Sequence, residues 1–285
     1  PRGRDPKMTT TFVPYRNPET GLPHHVQPEI TTIPAPESLL FVGNSLFFFN
    51  NGVHRFVRKL LAGADPKASC RTNLIAIGGA SLYWHDLESY FRPDAIASYA
   101  IKNDGTNRLV WREPQKKLWD AVILCDSTQG PIHPDLRDRF IETAARDAAI
   151  ARSHGTEPIF MITWAYADRP EMTEELADAV LAVANANHAM AVPAGLAFAE
   201  AEKFAPTIPL RIEDKRHPTP EGSYLLAAVI LESVFGINVR RVSEDCDLTP
   251  ETAMILREIA HKTAVRFFDR PLQSPSRKGS SGTKA

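Results

Sequence analysis

Cysteine is scarce: Cys70, Cys125 and Cys246 are the three in 285 residues. An odd number, with no Cys-x-x-Cys pair, argues against a disulfide framework and against a zinc site. Buried, reduced thiols of an intracellular protein are the expectation. Net charge is scarce too. Thirty-three Lys and Arg stand against 34 Asp and Glu, a formal −1. That gives the chain as a whole no field with which to hold nucleic-acid phosphates or an anionic membrane, so neither is expected as a partner. No apolar run approaches the ~18 residues that span a bilayer. No Gly-x-Gly-x-x-Gly follows the first strand-like run, and no Gly-x-x-x-x-Gly-Lys-Ser/Thr loop occurs, which sets a nucleotide-binding reading aside. The N-terminal stretch is polar and Pro-rich, without the apolar segment of a signal peptide, so the cytoplasm is the expected location. Pro1–Lys7, ahead of Met8, reads as a cloning remnant.

What is present is ordinary for a folded domain: 43% hydrophobic and 24% charged residues. Six prolines between Pro14 and Pro36 predict an extended arm over residues 1–37. The Ser/Gly/Lys-rich stretch 271–285 predicts a disordered tail. One domain is expected between them, over 38–270.

Inside that domain, short apolar runs alternate with helical stripes. Leu39–Val42, Leu74–Ile77, Ala121–Cys125, Ile159–Thr163 and His188–Val192 read as five buried strands. Val53, Phe56, Val57, Leu60 and Leu61 mark one helix face. Leu136, Phe140, Ala144, Ala148 and Ala151 mark another, closed by Gly155, and Leu176, Val180, Val183 and Ala184 a third. Thr219-Pro220 and Thr249-Pro250 each read as an N-cap followed by Pro at the first helical position. Strand–helix–strand repetition implies right-handed crossovers. The expected fold is therefore α/β: a flavodoxin-like three-layer α/β/α domain on a doubly wound parallel sheet of about five strands. Ligands of such sheets sit beyond the carboxyl ends of the strands. That directs attention to the turns after Val42, Ile77, Cys125 and Thr163.

The first turn is Gly43-Asn44-Ser45-Leu46. A serine there has its hydroxyl at the open sheet edge, beside the free N–H groups of a helix start. Asn44 or Ser45 acting only as a helix cap is the plainer alternative. The second turn, Gly78-Gly79-Ala80-Ser81, can bring a bare N–H to a ligand or can simply be a tight turn. The late Asp214-Lys215-Arg216-His217-Pro218 places a carboxylate three residues before a histidine, where it can orient an imidazole that serves as general base. A surface histidine in a charged loop is the alternative. Trp164 and His85 are candidates for lining a pocket, with core packing as the rival reading of each. Leu46–Phe49 is either an apolar lip or a buried helix face. The adjacent His24-His25 have no cysteine or carboxylate beside them, so no metal is expected.

Taken in order, these three turns resemble the SGNH (GDSL-type) hydrolase superfamily, in a branch whose first block reads Gly-Asn-Ser. The resemblance covers roughly Leu39 to Phe235. It implies a cofactor-free serine esterase acting on a small-molecule ester, such as an acetyl group on a carbohydrate, with Ser45, Asp214 and His217 as catalytic triad. It further implies an oxyanion hole from the N–H groups of Ser45 and Gly79, with Asn44 near the pocket. The third block departs from the pattern. The superfamily has an Asn there, whereas this chain reads Leu124-Cys125-Asp126-Ser127-Thr128-Gln129-Gly130. Gln129 is the first choice for the missing donor because its amide resembles that of Asn. An acyltransferase on the same triad and an inactive binding relative are the alternatives.

Overall fold

The computed structural model describes residues 27–92, 94–96, 98–111 and 117–268. The strands are β1 Ser38–Gly43, β2 Arg71–Ala76, β3 Tyr99–Ile101, β4 Leu109–Trp111, β5 Ala121–Leu124, β6 Glu157–Met161 and β7 Met190–Val192. The helices are α1 Ser45–Phe48, α2 Val53–Ala64, α3 Leu87–Tyr90, α4 Arg137–Ser153, α5 Met172–Ala186, α6 Ala194–Phe204, α7 Pro220–Val234 and α8 Pro250–Phe267. The five expected strands form one parallel sheet in the order β2-β1-β5-β6-β7. The three-layer α/β/α architecture is therefore present.

Alternate residues of the strands point to opposite faces, as strand geometry requires. Leu39, Phe41, Ile123, Ile159 and Met161 pack under α2, α6, α7 and α8. Leu40, Val42, Val122, Leu124 and Phe160 pack under α3, α4 and α5. Burial on both faces explains why the central strands read as unbroken apolar runs. β2 starts three residues before the apolar run that announces it. It is an edge strand, so Arg71, Thr72 and Asn73 stay half-exposed within it. The antiparallel β3–β4 hairpin was not anticipated. Nor was α6, a short Ala-rich helix with no pronounced stripe.

Helix ends follow the local chemistry. Thr219 accepts from the Gly222 N–H and Thr249 from the Thr252 N–H, each with Pro at the start of its helix. Gly155 ends α4 with φ +71°. The three cysteines are free and buried. Of the described part of the Pro-rich arm, Gln27 and Glu29 are held to α5 by Asn185, which bonds Glu29 N–H and Gln27 O, while Ile30 and Ile33 pack on the core. His24-His25, the rest of the arm and the stretch 271–285 lie outside the described residues. Among the described residues, no helix is long and apolar enough to cross a membrane, and no His/Cys/Asp/Glu cluster could hold a metal.

From β1 the chain crosses to β2 on one side and later returns to β5 on the other. The topological switch point thus lies between the carboxyl ends of β1 and β5. Gly43 closes β1 there. A Cβ on it would stand 2.9 Å from the Cβ of Cys125, so the two strand ends approach as only glycine permits.

Candidate active site

Asn44 caps α1. Its side chain accepts from Leu46 N–H at 3.0 Å and donates to Ala80 O at 2.9 Å. One buried amide therefore ties the serine turn to the glycine turn. Asn44 is 2% exposed, so it braces the site from beneath rather than lining a pocket. The next residue, Ser45, opens α1, whose Leu46 and Phe47 N–H groups are taken by the Asn44 side chain and carbonyl.

The loop before α7 folds back on itself. Ile212 N–H bonds His217 O at 2.9 Å, and Arg211 bridges Pro218. Lys215 takes φ +65° at the tip. This brings His217 Nε2 to 2.8 Å from Ser45 Oγ, across 172 residues of sequence, and His217 Nδ1 to 2.5 Å from Asp214 Oδ2. Asp214 Oδ1 accepts the N–H groups of Arg216 and His217, both at 2.9 Å. What burial Asp214 has raises its pKa. Hydrogen bonds from the His217 ring and from those two amides outweigh it and hold the carboxyl at about 2. An ionised carboxylate can only accept, so Nδ1 of His217 carries the proton. Nε2 is then left as acceptor for the serine hydroxyl. That tautomer is the one a general base needs.

Several supports had no announcement in the chain. Phe49 stacks on the His217 ring, centroids 4.2 Å apart and 12° from parallel. Asn50 donates to Pro218 O and Ser223 Oγ, fixing the chain just past the histidine. Its φ of +56° is the kind of turn backbone that Asn-Asn-Gly signals. The segment after β6 grips the same loop. Trp164 Nε1–H donates to Arg216 O at 2.8 Å, Ala167 N–H to Lys215 O at 3.0 Å, and the Arg216 guanidinium lies 4.2 Å from the Tyr166 ring centre. Arg211, nearly buried, pairs with Glu202 of α6 and donates to Ala165 O at 2.7 Å. Burial pushes its guanidinium down to about 10. Trp164 itself is 1% exposed and stacks on Phe198 at 4.1 Å. The expectation that it walls a pocket is corrected: it is a core aromatic whose ring N–H holds the loop that carries Asp214 and His217.

His85 is corrected in the same way. It is buried, with Nε2–H donating to Gly43 O at 2.9 Å and Nδ1 at 3.0 Å from Tyr90 Oη. Burial lowers its pKa, and a neutral ring fits that pair of bonds. It anchors the end of β1 and does not line a pocket. Leu46–Phe49 divides between both readings: Leu46 and Phe47 are buried, Phe48 is exposed and Phe49 packs on the imidazole.

On the other side of Ser45 lies the glycine turn. Gly79 has φ +72°, and no atom stands within 4 Å of where its Cβ would be. The backbone there faces open space, with a conformation that L side chains resist. Ser81 Oγ meets Ser127 Oγ at 3.0 Å, and Asp126 accepts the N–H groups of Leu82 (3.3 Å) and Ser127 (2.5 Å). The altered third segment thus knits itself to the second. Burial raises the Asp126 carboxyl, although those bonds oppose it. Gln129 is half-exposed, and its backbone carbonyl accepts from Ile132 and His133.

No protein-family model matches the chain, and no curated protein matches it in sequence. Solved structures do match. A protein of the DUF4886 family from Bacteroides uniformis is 17% identical with TM-score 0.53, over 83% of this chain and 96% of its own. A catalytic mutant of an acetylxylan esterase from Geobacillus stearothermophilus is 19% identical with TM-score 0.51, over 71% and 95%. A protein described as a GDSL-like lipase, from Parabacteroides merdae, is 14% identical with TM-score 0.51, over 72% and 98%. At these identities the likeness shows the fold: an α/β/α domain of the kind these structures have.

Proposed function

We propose that the chain is an ester hydrolase of the SGNH type, with Ser45 as nucleophile, His217 as general base and acid, and Asp214 as the group that orients it. The observation that carries this reading is the unbroken hydrogen-bonded series Ser45–His217–Asp214 at the carboxyl end of the sheet. The fold likeness supports it. The acetylxylan esterase among the similar structures has catalytic mutants in which a serine and a histidine are replaced by alanine.

Ser45 Oγ attacks the ester carbonyl while His217 Nε2 takes its proton. Negative charge gathers on the former carbonyl oxygen, held by the N–H groups of Ser45 and Gly79, with the Gln129 amide as third donor. The imidazolium then protonates the departing alkoxide, leaving an acyl-serine. Water, deprotonated by His217, attacks the acyl carbon. Collapse of the second intermediate frees the acid and returns the proton to Ser45. The side chains of His217 and Asp214 are 28% and 39% exposed. Water therefore has access to the dyad for the second step. A short acyl group, such as acetyl on a carbohydrate, is the proposed substrate.

The test is hydrolysis of p-nitrophenyl esters from acetyl to dodecanoyl by wild type and Ser45→Ala. Activity in the wild type that falls by at least ~10³-fold in the variant is the expected result. Equal rates in the two proteins would remove Ser45 from the mechanism.

A further inference from the structure

The net charge of −1 hides an uneven surface. Helix α2 reads Val-His-Arg-Phe-Val-Arg-Lys-Leu-Leu-Ala-Gly-Ala, with three cations and no acid. Its outer face carries Arg55, Arg58 and Lys59 at i, i+3 and i+4, so their charges stand in a row along one side of the helix. These side chains wall a groove of about 1300 Å³ between α2 and the chain leading into β2, with Lys67 and Arg71 on its far wall. Glu37 is the acid among its lining residues. Lys59 pairs with Asp247, and Arg71 is spent on Asn73 and the Leu118 carbonyl. Among the described residues, no carboxylate pairs with Arg55, Arg58 or Lys67. The positive field is felt nearby: burial lowers the pKa of His54, and Arg58 and Arg55 lower it further.

The groove does not stop at α2. Arg55 and Thr72 also line a second recess of about 820 Å³, which continues past Leu74 and Ala76 of β2 to Phe48 and Phe49. Phe49 is the ring stacked on His217. The two join into one trough along β2, the edge strand: cationic beside α2, with Arg55 where they meet, and lined by Phe, Asn and Leu side chains toward the His217 ring. α2 has 12 residues and β2 has 6, which makes each about 18–20 Å long. That is far longer than a short acyl ester needs.

We propose that this trough binds a linear polysaccharide bearing carboxylates, and that the same chain carries the ester delivered to Ser45. The proposal rests on the ester-hydrolase reading above and names its substrate class. Guanidinium groups suit carboxylates because they pair through two parallel N–H···O bonds. A row of cations suits a polymer with a charge on each repeat. Nucleic acid would supply a row of charges too, but its backbone is phosphodiester and offers the serine no carboxylic ester.

Two measurements separate this proposal from the reading beneath it. The first is affinity electrophoresis of Ser45→Ala protein through gels containing polygalacturonate, neutral xylan or single-stranded DNA. It needs no catalysis. Retardation by polygalacturonate alone, lost at 0.5 M NaCl and at least fivefold weaker in R55Q/R58Q/K67Q, is expected. Equal mobility in polygalacturonate and xylan would overturn the proposal, and so would stronger retardation by DNA. The second compares kcat/KM for acetylated polygalacturonate with that for p-nitrophenyl acetate in one sample. The ratio should fall at least tenfold in R55Q/R58Q/K67Q, with a Tm within a few degrees of wild type. An unchanged ratio would overturn the proposal. Loss of p-nitrophenyl acetate hydrolysis in the wild type would strike the ester-hydrolase reading, while the gels still judge the trough.

Discussion

The two walls of the site are built on opposite plans. The histidine wall is an irregular loop braced from outside. Trp164, Ala167, Tyr166 and Arg211 hold its backbone, Phe49 covers its imidazole and Asn50 pins the residue after it. Its carboxylate, Asp214, is partly exposed and held at about 2. The other wall, proposed to hold the oxyanion, is a bare glycine turn fastened from beneath. Asn44 and the Ser81–Ser127 pair tie it down, and Asp126, which accepts the Leu82 and Ser127 N–H groups, is buried with its carboxyl pushed up. Charge that must stay ionised is kept near water. Charge that only holds the scaffold is taken inside. The difference teaches that proton transfer needs a fixed direction, whereas charge stabilisation needs open donors with no competitor.

The sharpest way to break the histidine wall is Asp214→Asn. It keeps the shape but can present the ring with the wrong partner, so kcat should fall about 10⁴-fold. A fall of less than tenfold in single-turnover kinetics would mean that Asp214 does not set the tautomer. Because Asp214 is held at about 2, acid loss of activity near pH 5 does not come from its protonation. Its contribution to stability is present above its ordinary value of 3.8 and lost only as pH drops through about 2.

On the oxyanion wall, Gln129→Ala should lower kcat about 10²-fold with little change in KM, the usual cost of one donor. An unaltered kcat would reduce the hole to the two backbone N–H groups. Trp164→Phe keeps a ring on Phe198 but removes the bond to Arg216 O. A roughly threefold to tenfold loss in kcat at constant KM is expected, the worth of one neutral hydrogen bond. A change in KM alone would instead place Trp164 in substrate binding.

One further effect is on stability rather than rate. Asp147 is fully buried in α4 and raised from 3.8 to about 6 by burial, against its bond from Arg146 and reinforced by the charge of Asp126. The folded state then holds a proton that the unfolded chain has released. Stability should decline as pH rises from about 4 to about 6, by on the order of 2–3 kcal/mol, and level off above that. Asp147→Asn should flatten this slope in thermal melts across pH 4–7. A slope that persists in the variant would assign it to another group.

Much of this site was legible in the chain because its determinants are local. Asn44 beside Ser45 is a cap that any helix start would use, and Thr219-Pro220 fixes where α7 begins. Asp214 and His217 share one short loop. Asn, Thr, Pro and Gly act on their own backbone, so their meaning survives without neighbours. The bracing residues act across space. Nothing near Arg211 in sequence says that Glu202 and Ala165 meet it, and Trp164 and His85 look alike whether they face a ligand or a buried carbonyl. Phe49 could not be told from a core residue, since only the return of His217 over 168 positions gives its ring a partner. The start of β2 was hidden for a related reason, because a sheet edge permits Arg71 to Asn73 where a central strand would not.

Helix α7 carries one more consequence. Every residue from Gly222 to Val234 is buried, and α2, α6 and α8 enclose it. It has no face fit for water, so it cannot persist before its neighbours are in place. During synthesis it emerges directly behind His217, after every strand of the sheet has been made. The segment that covers the bare side of the sheet and the segment that brings the imidazole to Ser45 therefore arrive together. Nascent chains stalled before residue 217 hold the serine, the glycine turn and all five strands yet lack the imidazole proposed to activate the serine. In the proposed mechanism chemistry therefore waits for the stretch of chain from which that layer of the core is completed.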